Sequence, residues 1–132
     1  MADYTPVSSV NFATFTSTAS ATITGGQLLT ASGNNTVAPS TTGDHSVGVA
    51  LHDAPSGGRV TVAMVSSVVH EVAIQNTIDI AAGAPIIAGT AGSVNTGTLA
   101  TVAGAGTLLG ICLAGGTGNA GLTVKARFIG IG

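Results

Sequence analysis

Three histidines each stand beside a carboxylate in this chain: Asp44-His45, His52-Asp53 and His70-Glu71. A hydrolytic triad needs a nucleophilic Ser or Cys, a His base and an acid that orients the base. Here each acid adjoins its histidine, and on a strand adjacent side chains point to opposite faces, so adjacency argues against a direct pair. No Gly-x-Ser-x-Gly elbow is present. Asp44, His45, His52 and Asp53 lie in or beside Gly/Pro-rich loops, where solvated polar residues belong. A metal site would have to gather His45, His52, Asp53 and His70 from separate segments, with no recognised ligand spacing. A cluster of these histidines would instead change charge near pH 6 and could tune assembly. Gly-x-Gly fragments such as Gly104-Ala105-Gly106 lack the strand, helix and Lys or acid of a phosphate-binding loop. The expectation is no catalysis, no metal and no cofactor.

The elements that carry these residues come from an unusual composition. Of 132 residues only 6% are charged, against roughly 25% in typical soluble domains. Gly, Ala, Thr, Ser and Val take that space, and there is no Trp. With 45% hydrophobic residues and a net charge of −2, disorder is not expected. Apolar runs such as residues 60–74 are too broken for a transmembrane helix, and the start Met-Ala-Asp-Tyr-Thr-Pro does not read as a secretory signal. Arg59, Lys125 and Arg127 are the whole basic complement, too few for phosphate binding, so neither nucleic acid nor membrane is expected as a partner. A Thr/Ser/Ala/Gly surface is cheap to desolvate and suits burial between subunits.

Strong helix formers are scarce, and no window carries apolar residues at helical spacing opposite a charged face, so no helix is expected. Period-two runs are frequent: Val47, Val49 and Leu51; Val60, Val62 and Met64; Leu122, Val124, Ala126 and Phe128. Gly-rich turns separate them, as at Gly25-Gly26, Gly57-Gly58 and Gly115-Gly116. The pattern predicts an all-β fold, a small barrel or sandwich.

An internal repeat sharpens this reading. Val47-Gly48-Val49-Ala50-Leu51 precedes Val60-Thr61-Val62, and 62 residues later Leu109-Gly110-Ile111-Cys112-Leu113 precedes Leu122-Thr123-Val124. Gly26-Gln27-Leu28-Leu29 weakly resembles Gly83-Ala84-Pro85-Ile86-Ile87. Two related β-units, roughly 21–69 and 78–129, are expected within a single domain of residues 21–132, joined by a connector around residues 70–76. Cys112 takes the place of Ala50 and reads as a small buried apolar residue; as the lone cysteine it can form no internal disulfide. Gly48 and Gly110, at the same place in both copies, suggest close backbone approach. Residues 1–20 hold Tyr4, Phe12 and Phe15, lack Gly and are β-prone; they are expected to form an extended N-terminal arm, with a strand docked on its own domain as the alternative.

Gly83-Ala84-Pro85-Ile86, the Val-Gly-Val-Ala-Leu and Leu-Gly-Ile-Cys-Leu strands and the closing Leu-Thr-Val-Lys-Ala-Arg run together resemble the small Gly/Ala-rich capsid decoration (cement) proteins of tailed bacteriophages. The resemblance covers about residues 21–132. It implies a compact β fold, a homotrimer at three-fold sites on the outer capsid surface, the major capsid protein as partner, and no enzymatic activity. It also implies manufacture in the host cytoplasm, residence on the virion exterior, and reinforcement of the shell against packed DNA. The long N-terminal segment and the shortage of acidic residues depart from the simplest members. Tyr4, Phe12 and Phe15 are the candidate capsid or subunit contacts, since buried aromatics are common hot spots. Deleting residues 2–16 is expected to leave a folded trimer with weakened capsid binding. A tail, fibre or adhesin module is the alternative reading, and a small-ligand-binding barrel a weaker one.

Overall fold

Alternating small and β-branched residues build the first unit from five strands: β1 (Thr14–Ala19), β2 (Leu28–Gly33), β3 (Thr36–Pro39), β4 (Ser46–Ala50) and β5 (Arg59–Met64). The computed structural model describes residues 3–4, 14–65, 68–119 and 123–131. The strands close into a barrel in the order β1-β3-β2-β4-β5. Closure comes from β1, antiparallel to β5 (Phe15 opposite Val62) and parallel to β3 (Ala19 opposite Val37). A closed sheet leaves no row of unpaired backbone groups. Ala19, Ile23, Leu29, Val37, Ala50, Val60 and Val62 form the core of this unit.

The second unit repeats the plan. Its strands are β6 (Val69–Ala73), β7 (Asp79–Ile80), β8 (Pro85–Ala88), β9 (Val94–Asn95), β10 (Gly110–Ala114), β11 (Gly116–Thr117) and β12 (Lys125–Gly130). The main sheet runs β6-β12-β10-β8-β9. Substituting β1, β5, β4, β2 and β3 in turn gives the order of the first unit. Even the parallel closure recurs, as a single bridge between Ile74 and Val94. The small β7–β11 pair, with Ile80 opposite Gly116, matches the first unit's bridge between Ile23 and Ala54.

The all-β expectation therefore holds, and three details of the sequence reading are corrected. First, Thr14–Ala19, assigned to an arm of residues 1–20, is a barrel strand. Only Ser17 and Ala19 of this strand are buried, while Phe15 on the same face is exposed, so the inward row is short and carries little apolar signal. Second, the expected connector at residues 70–76 contains most of β6, so the units span about 14–65 and 68–131 rather than 21–69 and 78–129. Third, a one-and-a-half-turn helix, α1 (Leu99–Gly104), lies between β9 and β10 with Val102 buried. Six residues are too few to register as a helical period.

The two units share apolar contacts. Leu28, Val49 and Val65 of the first belong to one buried cluster with Val72, Ile74, Ile86, Cys112 and Phe128 of the second. Leu28 and Leu29 thus feed different cores, as do Val49 and Ala50, because successive residues of a strand face opposite ways. Backbone bonds also cross the seam, from Gly43 N–H to the Ala88 carbonyl (3.1 Å) and from Gly92 N–H to the Ser40 carbonyl (2.9 Å).

Candidate functional site

The three acid–histidine pairs are far from equivalent. Asp44 accepts from the backbone and hydroxyl of Thr41 (2.8 and 2.9 Å), which closes a turn, while the His45 side chain is exposed. His52 is engaged by backbone: its Nδ1 donates to the Asp53 carbonyl (2.8 Å) and its Nε2 accepts from Thr61 N–H (3.1 Å). Asp53 Oδ1 accepts from Gly25 N–H (2.9 Å). These contacts brace loops around the first unit. Among the described residues, no group of three or more His, Cys, Asp or Glu is placed to hold a metal ion.

His70 is different. It occupies β6 in the row Val68, His70, Val72, Ile74, all buried, and has no exposed surface at all. Glu71, the next residue, points the other way and pairs with Arg127 across β12 at 3.7 Å. Both partners of that pair are substantially solvated, so it adds little stability. The His70 ring packs on Phe128 (centroids 5.9 Å apart) and stacks on Tyr4 (5.8 Å, planes 25° apart).

The hydrogen bonds around this ring fix its tautomer. Nε2 lies 3.0 Å from the Met64 carbonyl, which can only accept, so Nε2 carries the proton. Nδ1 is then the acceptor for the Tyr4 hydroxyl at 2.8 Å. The Tyr4 oxygen in turn accepts from Glu71 N–H at 3.1 Å. The result is a one-directional chain of donors running Glu71, Tyr4, His70, Met64. Burial holds the His70 imidazole below its ordinary range, outweighing the opposite pull of the Met64 carbonyl. Burial also pushes the Tyr4 phenol up to about 12; the Glu71 N–H bond opposes that shift and the Glu71 carboxylate adds to it.

The structure separates the candidate contact residues. Tyr4 lies against its own chain, with its backbone N–H donating to the Leu51 carbonyl. Phe15 sits on β1 and is 38% exposed, beside an open groove of about 210 Å³ at one end of the barrel, where Val37 and Val47 also line the wall. Phe12 lies outside the described residues. Cys112 is buried opposite Phe128, at the place Ala50 holds in the first unit, and burial pushes its thiol up. The link between Tyr4 and His70, 66 residues apart, has no local sequence signal. The burial of His70 does have one, since it interrupts an otherwise apolar alternation at residues 68, 70, 72 and 74.

These features define a protein built from two tandem β-units, each organised around a five-stranded sheet. Asp44, His52 and Asp53 brace loops, and His70 braces the seam. No family model matches the chain, and no curated protein matches it. In fold it is similar to the N base of head fibre gp8.5 of bacteriophage phi29, with a TM-score of 0.66 over 89% of this chain and 94% of that one. Sequence identity between them is 17%, so the likeness is one of fold.

Proposed function

We propose that this chain is a non-enzymatic structural protein of a phage virion that binds the outer surface of the capsid. The observation that carries this reading is the likeness to the base of a phage head fibre, which extends over nearly the whole of both chains. Charge poverty supports it: a surface with so few ions loses little on burial against another protein. In this reading the protein assembles as a homotrimer at three-fold sites and contacts the major capsid protein, bracing the shell against packed DNA. Phe15 is the contact residue best presented for that role, with Phe12 three positions before it in sequence. The description of the phi29 protein favours a second reading, in which the chain is the base from which a fibre projects.

Purified protein mixed with undecorated, expanded capsids tests the proposal. Co-sedimentation with the shells, and density at three-fold positions in electron micrographs of the particles, is the expected result. Phe15→Ser should weaken binding without changing the thermal stability of the free protein by more than a few degrees. Absence of binding to shells that lack this protein alone would overturn the reading. Density confined to a fibre base would select the second one.

A further inference from the structure

Tyr4 touches both units at once. On the side of the first unit its backbone N–H bonds to the Leu51 carbonyl, and a Cβ added at Gly26 would meet its ring at 3.7 Å. On the side of the second, its ring stacks on His70 and its hydroxyl joins His70 Nδ1 to Glu71 N–H. The side chain works as a bolt across the seam, and His70 Nδ1 is the socket. That nitrogen is the sole acceptor on the ring, because Nε2–H is committed to the Met64 carbonyl. A proton on Nδ1 would end the Tyr4 O–H···N bond and place a cation where no solvent reaches.

The ionisable groups packed around this point offer the imidazolium little compensation. Glu71, on the same strand, points away and pairs with Arg127 of β12; its carboxylate is felt at the Tyr4 hydroxyl, whereas the influences on the His70 ring are burial and the Met64 carbonyl. Lys125 lies farther along β12, opposite Ala73, and is exposed. Asp3 precedes Tyr4 and is exposed, and His52, after Leu51, turns its ring to Thr61 N–H. Cys112 of β10 is paired with Phe128, on whose ring His70 also packs. Among the described residues the hydrogen-bond partners of the His70 ring are the Tyr4 hydroxyl and the Met64 carbonyl, and neither is a carboxylate.

We propose that protonation of His70 withdraws the bolt: in mild acid Tyr4 leaves the seam and the two units loosen against each other, while each keeps its own strands paired. The joint is thus an acid-sensitive device. It goes beyond the capsid-binding reading and does not depend on it.

The test uses the full-length protein, isotopically labelled for NMR. The ring shifts of His70 report its protonation. Amide protection factors, corrected for intrinsic exchange, report the seam at Glu71 and Tyr4 and the strand pairing in β4, β5, β10 and β12. A single linked proton predicts that seam opening grows by up to about tenfold per pH unit below the ordinary histidine range, levelling off once His70 is protonated in the folded state. Protection within the strands should not follow it. His70→Gln supplies an acceptor for Tyr4 and a donor for Met64 without a titrating ring, and should flatten the step. Tyr4→Phe should leave the Glu71 amide poorly protected at every pH. Constant Glu71 protection through the His70 titration would overturn the proposal, because Tyr4 would then have stayed docked against the imidazolium. Persistence of the step in His70→Gln would also overturn it.

Discussion

Gly48 and Gly110 show how one missing carbon shapes each unit. A Cβ on Gly48 would run into the Ala63 carbonyl oxygen and Val62 Cγ1; one on Gly110 would meet the Ile129 carbonyl oxygen and, at 2.9 Å, Phe128 Cδ2. Both are strand residues that press against the facing strand, so the requirement is space rather than an unusual backbone angle. Gly48→Ala and Gly110→Ala should each destabilise the protein by about 1–3 kcal/mol, the range for overpacking a filled core, as read from urea unfolding. Gly104→Ala is the control: nothing lies within 4 Å of its added carbon, and in α1 the change should be neutral or slightly favourable. The crowding was legible beforehand, since the two glycines sit at matching places in the repeat. The pairing of Tyr4 with His70 was not, because no periodicity connects residues in different elements.

At the level of elements, the repeat predicted β4 and β10 at the correct spacing and misplaced their partner. The repeat pairs Val60-Thr61-Val62 with Leu122-Thr123-Val124. In the structure Ala50 faces Val62 and Cys112 faces Phe128, so β5 corresponds to β12, four residues later than expected. A slide of four is even, so it keeps every side chain on its original face and leaves the alternating pattern unchanged. The extra residues lengthen the turn that holds β11. Likewise the sequence repeat does not extend to β1 and β6, although Phe15 and His70 take matching places opposite Val62 and Phe128. The status of β1 changes the outcome expected from truncation. Removing residues 2–16 deletes Thr14, Phe15 and Thr16, three of the five residues paired with β5, together with Tyr4. The truncated protein should therefore show a markedly lower melting temperature and expose the core around Val60 and Val62, detectable by dye binding. Single changes at Phe12 and Phe15 are the clean probes of capsid contact.

For the whole molecule, stability should depend on pH from both ends of the scale. His70 has a lowered pKa in the fold, so the unfolded chain binds the extra proton first; stability is full above the ordinary value of 6.5 and falls as pH drops below it. Tyr4 has a raised pKa, so the unfolded chain loses its proton first, and stability falls as pH climbs from 10 towards about 12. Thermal melts from pH 4 to 11 should trace a plateau with shoulders at these limits, and Tyr4→Phe should remove the alkaline one. The order of the strands along the chain also bears on manufacture. Every strand of the first unit precedes every strand of the second, so the leading barrel can close while the ribosome is still making the other. Tyr4 emerges first and must wait for His70. At about 5–20 residues per second the 66 positions from Tyr4 to His70 take roughly 3–13 s, during which the ring has no socket. Locking of the seam is then a later event than the first barrel's own strand pairing, a signal that synthesis has passed from the first unit into β6.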